Sequence, residues 1–162
     1  MVEVETSFDA FMATEHRRVL ALARAMTGSW SEAEDVAQEA FLAAYRQWGT
    51  MTSPEAFVRR VVLNQSASGV RRKVRERSAL GRLRVVASRE DDDVADPAFW
   101  RAVAALPTRQ RQVVALHYVD DRSVRDVSEV LDIAEGTVKA TLHAARSALR
   151  VALAIDEEDD ER

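Results

Sequence analysis

Apolar side chains recur at intervals of three and four residues near the start of the chain, which is the spacing of one helix face. A first helix is predicted from about Glu15 to Met26, and Gly28 lies just past its end, where a glycine commonly stops a helix. The inward face of this helix is predicted to consist of Val19, Leu20, Leu22, Ala23 and Met26.

Two more helices are predicted in the same half of the chain. Ser31 and Glu34 form a capping-box pattern at the start of the second helix. Its broad apolar side is formed by Ala33, Val36, Ala37, Ala40, Phe41, Ala44, Tyr45 and Trp48. Ser53 as N-cap and Pro54 at the first helical position predict a third helix, which reaches Arg72 or beyond.

Helical spacing is lost over residues 76–96, where the chain passes from basic ("RLRVV") to acidic ("EDDDVAD"), so we predict a linker there. A second capping box, Ser123 to Asp126, then predicts a short helix. It is followed by a three-residue turn, Asp132 to Ala134, and a longer helix. The apolar stripe of that longer helix is Val138, Leu142, Ala145 and Leu149.

Composition supports a helical protein. Aromatic residues make up only 6% of the chain, and five Gly and three Pro are few for the turns of an all-β fold. The predicted fold class is all-α, with two small helical domains joined by a flexible linker. The expected boundaries are residues 1–75, a linker at 76–96, a second domain at 97–154 and an acidic disordered tail at 155–162.

Several functional classes are excluded by what the sequence lacks. It has no cysteine, no apolar run near the roughly 20 residues that span a bilayer, and no signal-peptide pattern in residues 1–15. His16, His117 and His143 are far apart, and none belongs to a metal-ligand or nucleophile motif. We therefore expect a cytoplasmic protein without membrane insertion. It is expected to be no enzyme and to have no metal, cofactor or small-molecule substrate.

The formal net charge of −4 conceals a segregation of charge along the chain. Residues 59–89 hold 10 basic side chains and 1 acidic side chain, whereas the segments on either side are acidic. Such a basic block favours a polyanion as partner, and nucleic acid is the commonest one. The alternative is an amphipathic core helix with a solvated arginine face. The candidate contacts on this helix are Arg59, Arg60, Asn64, Arg71, Arg72 and Lys73.

The short helix, tight turn and longer helix of the second half have helix-turn-helix spacing. In that arrangement the second helix offers its first residues to DNA base edges in the major groove. The residues expected to face DNA are Glu135, Thr137, Lys139, Ala140 and Thr141, with His143 and Arg146 toward the backbone. Because plain helical bundles contain similar pairs, this spacing leaves DNA binding and simple packing both open.

Two blocks of the chain resemble conserved regions of extracytoplasmic-function (ECF) sigma factors, the group 4 members of the sigma-70 family. "AEDVAQEAFLAAYRQW" followed by "SPEAFVRRVVLNQSASGVRRK" resembles their region 2. "LPTRQRQVVALHYVDDRSVRDVSEVLDIAEGTVKATLHAARSAL" is similar to their region 4. The resemblance covers about residues 8–75 and 97–150 in the family's order, with no region 3 between them, and it points to the actinobacterial stress-type branch.

The resemblance implies roles for these surfaces. Asp35, Gln38 and Glu39, the "D..QE" motif, match positions that dock on the coiled coil of the largest RNA polymerase subunit. In the family, one element recognises and melts the −10 promoter region. The positions that match it here are Thr50, Met51, Thr52, Arg59, Arg60, Asn64, Ser68, Arg71, Arg72 and Lys73. The resemblance implies that the first three contact a flipped base. The positions that match the −35 reader are Arg122, Ser123, Glu135, Thr137, Lys139, Ala140, Thr141, His143 and Arg146. The implied partners are core RNA polymerase, through its coiled coil and flap, promoter DNA and an anti-sigma factor.

The chain also departs from the family pattern. Ala140-Thr141 and Ala144 stand where many relatives carry Ser-Arg and Arg, which implies weak or altered −35 recognition. Ser128 and Asp132 replace a common Ala and Gly of the helix-turn-helix, although Asp tolerates a left-handed turn. Two alternative functions remain open at this stage. One is a helix-turn-helix regulator that acts without polymerase, and the other is a sigma-like decoy that binds regulators without opening promoters.

Overall fold

The computed structural model describes residues 6–80 and 97–160, with side chains for residues 6–67 and 97–154. Within these ranges the helices of the first unit are α1 (Phe8–Thr27), α2 (Trp30–Arg46) and α3 (Pro54–Leu80). Those of the second unit are α4 (Pro97–Ala105), α5 (Thr108–Val114), α6 (Val124–Leu131) and α7 (Glu135–Asp160). A π-helical turn, Ala115–Val119, continues α5.

The first helix is longer than its apolar stripe predicted. It begins at Phe8, where the Ser7 hydroxyl accepts a hydrogen bond from the Ala10 amide at 3.2 Å. The start of this added segment is stabilised by edge-on ring contacts of Phe8 with Tyr45 and Trp48, at centroid distances of 5.1 and 5.3 Å. Tertiary contact with the end of α2 therefore sets where α1 starts.

The capping box predicted at Ser31 and Glu34 is wrong. The N-cap of α2 is Ser29, whose hydroxyl accepts from the Glu32 amide at 3.5 Å, so Ser31 already lies inside the helix. The reason is the tight end of α1: Gly28 adopts a left-handed conformation (φ 80°), and Ser29 is extended directly after it. Because only Gly28 and Ser29 separate the two helices, α2 begins at Trp30.

The start of α3 agrees with the sequence prediction, but its end does not. The Ser53 hydroxyl accepts from the Ala56 amide at 3.4 Å, and Pro54 is the first helical residue. The helix runs to Leu80, so residues 76–80, assigned to the linker, are helical. The remaining linker residues, 81–96, lie outside the described part of the chain.

The first unit is a three-helix bundle in which α2 contributes small side chains. Ala33, Ala37, Ala40 and Ala44 are at most 1% exposed and recur at helical spacing, so they let α1 and α3 approach the backbone of α2 closely. The inward face predicted for α1 is confirmed for Val19, Leu22, Ala23 and Met26, which are buried, while Leu20 is partly buried.

The second unit contains the helix-turn-helix that the spacing predicted. Ser123 and Asp126 form a complete capping box at the start of α6, and residues 132–134 separate α6 from α7. Asp132 adopts the left-handed conformation expected of it, with φ 53°. The stripe Val138, Leu142 and Ala145 is buried and Leu149 partly so, as predicted.

The end of α7 differs from prediction. The helix continues to Asp160, so residues 155–160 are helical in the region where a disordered tail was expected. Neither Gly nor Pro interrupts residues 155–160, and the helix enters them through Ala152, Leu153 and Ala154, which have good helix propensity.

The two units pack on each other. Contacts join α1 to the π-helical turn and to α4, and α3 to α6. Buried apolar side chains of both units belong to one continuous cluster, which includes Val58 and Val62 from α3 and Leu116 and Val127 from the second unit. The closeness of the two units decides which candidate site residues face solvent.

We predict that Ser123→Ala destabilises the second unit by about 1 kcal/mol, because the substitution removes a capping hydroxyl at 3.1 Å from the Asp126 amide. The check is urea unfolding followed by circular dichroism. Ser147→Ala is the matched control, since that exposed hydroxyl bonds only the His143 carbonyl within α7, and its expected effect is within about 0.5 kcal/mol.

The effect of Ser123→Ala should also depend on pH. Hydrogen bonding to Ser123, opposed by slight burial, holds the pKa of Asp126 below its ordinary value. A lowered pKa contributes stability that is present above the unfolded pKa of about 4 and is lost as pH falls through the folded pKa. The stability difference between wild type and Ser123→Ala should therefore shrink below about pH 4. A difference that grows on acidification would contradict this assignment.

Candidate nucleic-acid interface

The three residues of the "D..QE" motif lie on one exposed face of α2. Asp35, Gln38 and Glu39 are three and four positions apart, so their side chains project together, and all three are exposed. All three are therefore accessible to a partner.

An apolar groove that the sequence did not predict lies beside this face, between α1 and α2. It has a volume of about 450 Å³ and reaches Gln38. Tyr45, assigned from the sequence to the inward side of α2, is 62% exposed at its edge, and Leu42 is 40% exposed. The inward position at this end of α2 is taken by Trp48, which packs on Phe8 and Phe11.

The loop between α2 and α3 places the three candidate base-contacting residues at the surface. Thr50 and Thr52 are exposed and Met51 is partly buried. The loop turns at Gly49, whose φ of 90° suits glycine, and the Thr50 hydroxyl donates to the Gln47 carbonyl at 2.8 Å. A cavity of about 420 Å³ opens beside the loop, lined by Thr6, Phe11, Thr14, Glu15, Trp48, Gly49, Met51, Pro54 and Glu55.

The basic helix departs most from expectation at Arg59. Its side chain is 0% exposed and pairs with Asp120 through two hydrogen bonds, Nε to Oδ2 at 2.5 Å and Nη2 to Oδ1 at 2.9 Å. The same Nη2 donates to Glu15 Oε2 at 2.6 Å, and Nη1 donates to the Glu55 carbonyl at 3.1 Å. In this arrangement Arg59 contacts no solvent, so the predicted DNA contact is not available.

Electrostatics supports a charged Arg59. Burial by itself lowers the pKa of the guanidinium, but the hydrogen bonds and negative charges of Asp120 and Glu15 outweigh burial and leave this pKa above its ordinary value. Arg59 thus joins a carboxylate of its own unit, Glu15, to a carboxylate of the other, Asp120.

A second arginine completes the cluster. The side chain of Arg122, a candidate −35 contact, is only 12% exposed. It donates to Glu55 at 2.8 Å, to Glu15 at 3.2 Å and to Asp120 at 3.2 Å. We call these five side chains the interdomain ion network: Glu15, Glu55, Arg59, Asp120 and Arg122.

Arg60 also spans the two units. Its Nε donates to the Val130 carbonyl at 3.1 Å and its Nη2 to the Glu129 carbonyl at 2.9 Å, both near the end of α6. Arg60 and Asn64 line a polar groove of about 590 Å³ between the units, together with Leu63, Arg109, Gln112, Val130, Leu131 and Asp132. The other candidate −10 residues on α3 are Ser68, Arg71, Arg72 and Lys73. Their side chains lie outside the part of the chain whose side chains are described.

The candidate −35 residues on α7 remain at the surface. Exposed side chains on this helix are Glu135, Thr137, Lys139, Ala140, His143 and Arg146, and Thr141 is partly exposed. The Thr141 hydroxyl donates to the Thr137 carbonyl at 2.8 Å. Ser123 is exposed but occupied as the N-cap of α6.

Sequence reasoning missed three residues that organise these surfaces. Glu15 falls in the buried stripe of α1 with Phe11, Val19 and Leu22, so a carboxylate at an apolar position was the available signal. Asp120 carried no such signal. Tyr118 gave none either; its hydroxyl accepts from Arg146 Nε at 2.5 Å, and its ring lies 5.6 Å from the guanidinium carbon.

Within the described residues, no helix is long and apolar enough to cross a membrane, and no three His, Asp or Glu side chains are grouped to hold a metal ion.

Sequence comparison matches both units to known families. Residues 11–76 match the family described as Sigma-70 region 2, and residues 97–149 match Sigma-70, region 4. The chain is 31% identical over 147 residues to "ECF RNA polymerase sigma factor SigM" of Mycobacterium tuberculosis, a match that covers 88% of this chain and 75% of that protein. It is 30% identical over 150 residues to "RNA polymerase sigma-E factor" of Streptomyces coelicolor, which covers 88% and 84%. The chain belongs to the ECF RNA polymerase sigma factors.

Solved structures agree at the level of fold. The sigma factor RpoE of Bartonella quintana, in complex with the anti-sigma factor NepR, superposes with a TM-score of 0.73 at 20% identity, over 92% of this chain and 98% of that one. CnrH, in complex with the cytosolic domain of CnrY, gives 0.68 at 22% identity, over 92% and 88%.

We predict that Arg59→Ala lowers the free energy of unfolding by about 3–5 kcal/mol, because it removes the closest cation from buried Glu15 and Asp120 and leaves both to Arg122 alone. Urea unfolding of the full chain measures the loss. Arg125→Ala is the control, since the ion pair of Arg125 with Glu129 is exposed and worth less than about 1 kcal/mol. An unchanged unfolding midpoint for Arg59→Ala would show that this arginine has no structural role.

Proposed function

We propose that this protein carries core RNA polymerase to promoters, recognises the −10 and −35 elements and helps to open the DNA. The observation that carries the proposal is the pairing of sigma region 2 and region 4 in one chain, in that order. Its place of action is the cytoplasm, where the polymerase is. Binding and positioning of macromolecules account for this role, without chemistry by the protein itself.

The polymerase contact is assigned to the exposed face of α2. Asp35, Gln38 and Glu39 present polar and negative groups, and the apolar groove beside them exposes Leu42 and Tyr45. A polar rim around an apolar groove suits a protein partner, because the groove supplies apolar area and the rim supplies orientation. The coiled coil of the largest polymerase subunit is the partner proposed for this surface, and the flap for region 4.

The −10 contact is assigned to the loop before α3 and to the basic part of α3. The cavity beside Met51 includes the ring of Trp48, and aromatic side chains hold unstacked bases by stacking. Arg71, Arg72 and Lys73 supply the positive charge that follows the phosphate backbone. Together, a cavity for a base and a cationic helix stabilise a separated strand.

The −35 contact is assigned to the outer face of α7, where Lys139, Arg146 and Arg150 are exposed cations. Tyr118 holds the Arg146 guanidinium, which lowers the entropy cost of its contact with a phosphate. Residues 135–142, the part of α7 expected to meet base edges, contain one cation, Lys139, so we expect modest −35 affinity.

An anti-sigma protein is proposed as a further partner. The similar structures are named as complexes of sigma factors with NepR and CnrY, and this chain has the same fold.

We predict that Asp35→Arg abolishes co-elution with bacterial core RNA polymerase in gel filtration, because it reverses a charge at the centre of the proposed docking face. The control is Glu129→Arg, an exposed acid in α6 of the second unit, which makes the same charge reversal away from α2. If both variants co-eluted with polymerase equally well, the assignment of this face would be refuted. Failure of the wild type to bind polymerase would refute the sigma function.

We predict that Arg71→Ala/Arg72→Ala retains polymerase binding but weakens promoter opening. Loss of two phosphate contacts should make the slope of log K against log salt concentration less steep by about two. Permanganate footprinting of the holoenzyme on a target promoter measures opening. If the variant opened the promoter as well as wild type, the assignment of these arginines to the −10 contact would be wrong.

A further inference from the structure

The polar groove between α3, α5 and the end of α6 has the size and the lining of a small-molecule site. Its volume of about 590 Å³ lies within the range of roughly 300–1,000 Å³ that is typical of ligand pockets. Leu63 and Val130 are at most 6% exposed and form part of its apolar lining. Neither the surface proposed for polymerase nor the surface proposed for the −35 element includes this groove.

Helical spacing brings the polar groups of the groove together. Arg60 and Asn64 are four residues apart on α3, and Arg109 and Gln112 are three residues apart on α5, so each pair projects from one face of its helix. Asp132, at the end of α6, completes the polar lining. Three separate helices thus place two cations, two amides and one carboxylate around one space.

The two cations differ in how they are held. Arg60 donates from Nε and Nη2 to the carbonyls of Val130 and Glu129, at 3.1 and 2.9 Å, which fixes its guanidinium at the wall of the groove. Arg109 is exposed, and in the described part of the chain its side chain has no hydrogen-bond or ion-pair partner. One preorganised and one available guanidinium suit a phosphate group, which arginine binds through charge-assisted hydrogen bonds.

The other polar groups indicate what such a phosphate is attached to. The side-chain amides of Asn64 and Gln112 each present a donor and an acceptor, which is the pattern that reads the edge of a nucleobase. The Asp132 carboxylate repels a bare phosphate, but a carboxylate accepts hydrogen bonds from ribose hydroxyls in nucleotide sites. The lining therefore matches a phosphate, a sugar and a base in one ligand.

We propose that this groove binds a ribonucleotide, with Arg60 and Arg109 at its phosphates, Asp132 at its ribose hydroxyls, and Asn64 and Gln112 at its base. This role goes beyond the proposed function and does not depend on it. Because the lining comes from both sigma regions, the bound nucleotide contacts region 2 and region 4 at once and stabilises the folded chain by mass action.

Isothermal titration calorimetry of the full chain at low salt tests the site, with ADP and GDP as probes. We expect at least one of them to bind saturably. Arg109→Ala should weaken that binding about tenfold or more, because it removes a charged donor from the phosphate. Arg150→Ala removes an exposed cation of α7 outside the groove and should leave the affinity unchanged.

Asp132→Asn separates recognition of the ribose from the effect of charge. Asparagine tolerates the left-handed conformation of residue 132, where φ is 53°, so the turn is retained. We expect this variant to bind the ribonucleotide about fivefold more weakly and the 2′,3′-dideoxy form no more weakly than wild type does. A purely electrostatic role of Asp132 would instead make the variant bind both forms more tightly. Thermal melting without ligand checks that each variant is folded.

Three results would overturn the proposal. The first is the absence of binding of either nucleotide to wild type. The second is binding of inorganic pyrophosphate as tight as that of the nucleotide, which would make the groove an anion site without recognition of a nucleoside. The third is equal weakening by Arg109→Ala and Arg150→Ala, which would show only a general attraction of charge. Co-elution with polymerase is measured separately, so failure of the proposed function is distinguishable from failure of nucleotide binding.

Discussion

The buried guanidinium of Arg59 is the contact on which the arrangement of the two domains depends. It bonds Glu15 from α1 and both carboxylate oxygens of Asp120 from the second unit, with no exposure to solvent. An arginine in such a place is tolerated only when its charge and its donors are satisfied. Asp120 of region 4 accepts two of the hydrogen bonds from Arg59, so a buried positive charge of one domain is balanced by a carboxylate of the other.

This dependence divides the functional surfaces into two groups. The α2 face proposed for polymerase and the outer face of α7 stay exposed when the domains are packed, whereas Arg60 and Arg122 are engaged between them. Asp35, Gln38 and Glu39 are therefore accessible to a partner while the domains are packed.

The helix-turn-helix shows how departures from a family pattern are absorbed locally. Ser128 replaces a common alanine, and its hydroxyl donates to the Ile133 carbonyl at 2.6 Å, so the polar group is satisfied across the turn. Asp132 replaces a common glycine and accepts a left-handed φ of 53°. Neither change disturbs the burial of Val138 and Leu142. The other departures from the family pattern, Ala140, Thr141 and Ala144, lie on the outer face of α7.

The sequence by itself determined the helical class, the starts of α3 and α6, the turn before α7 and the outward positions of the "D..QE" residues. These features depend on spacing and capping within a few residues, which a linear pattern records. Tertiary structure decided the start of α1, the exposure of Tyr45 and the fate of Arg59, Arg60 and Arg122. Their partners lie far away in the chain: 61 residues separate Arg59 from Asp120, and 107 separate Arg122 from Glu15. Because a charged side chain takes its role from the groups it meets, only the packing of the two domains showed that Arg59 and Arg122 are held by carboxylates and Arg60 by backbone carbonyls.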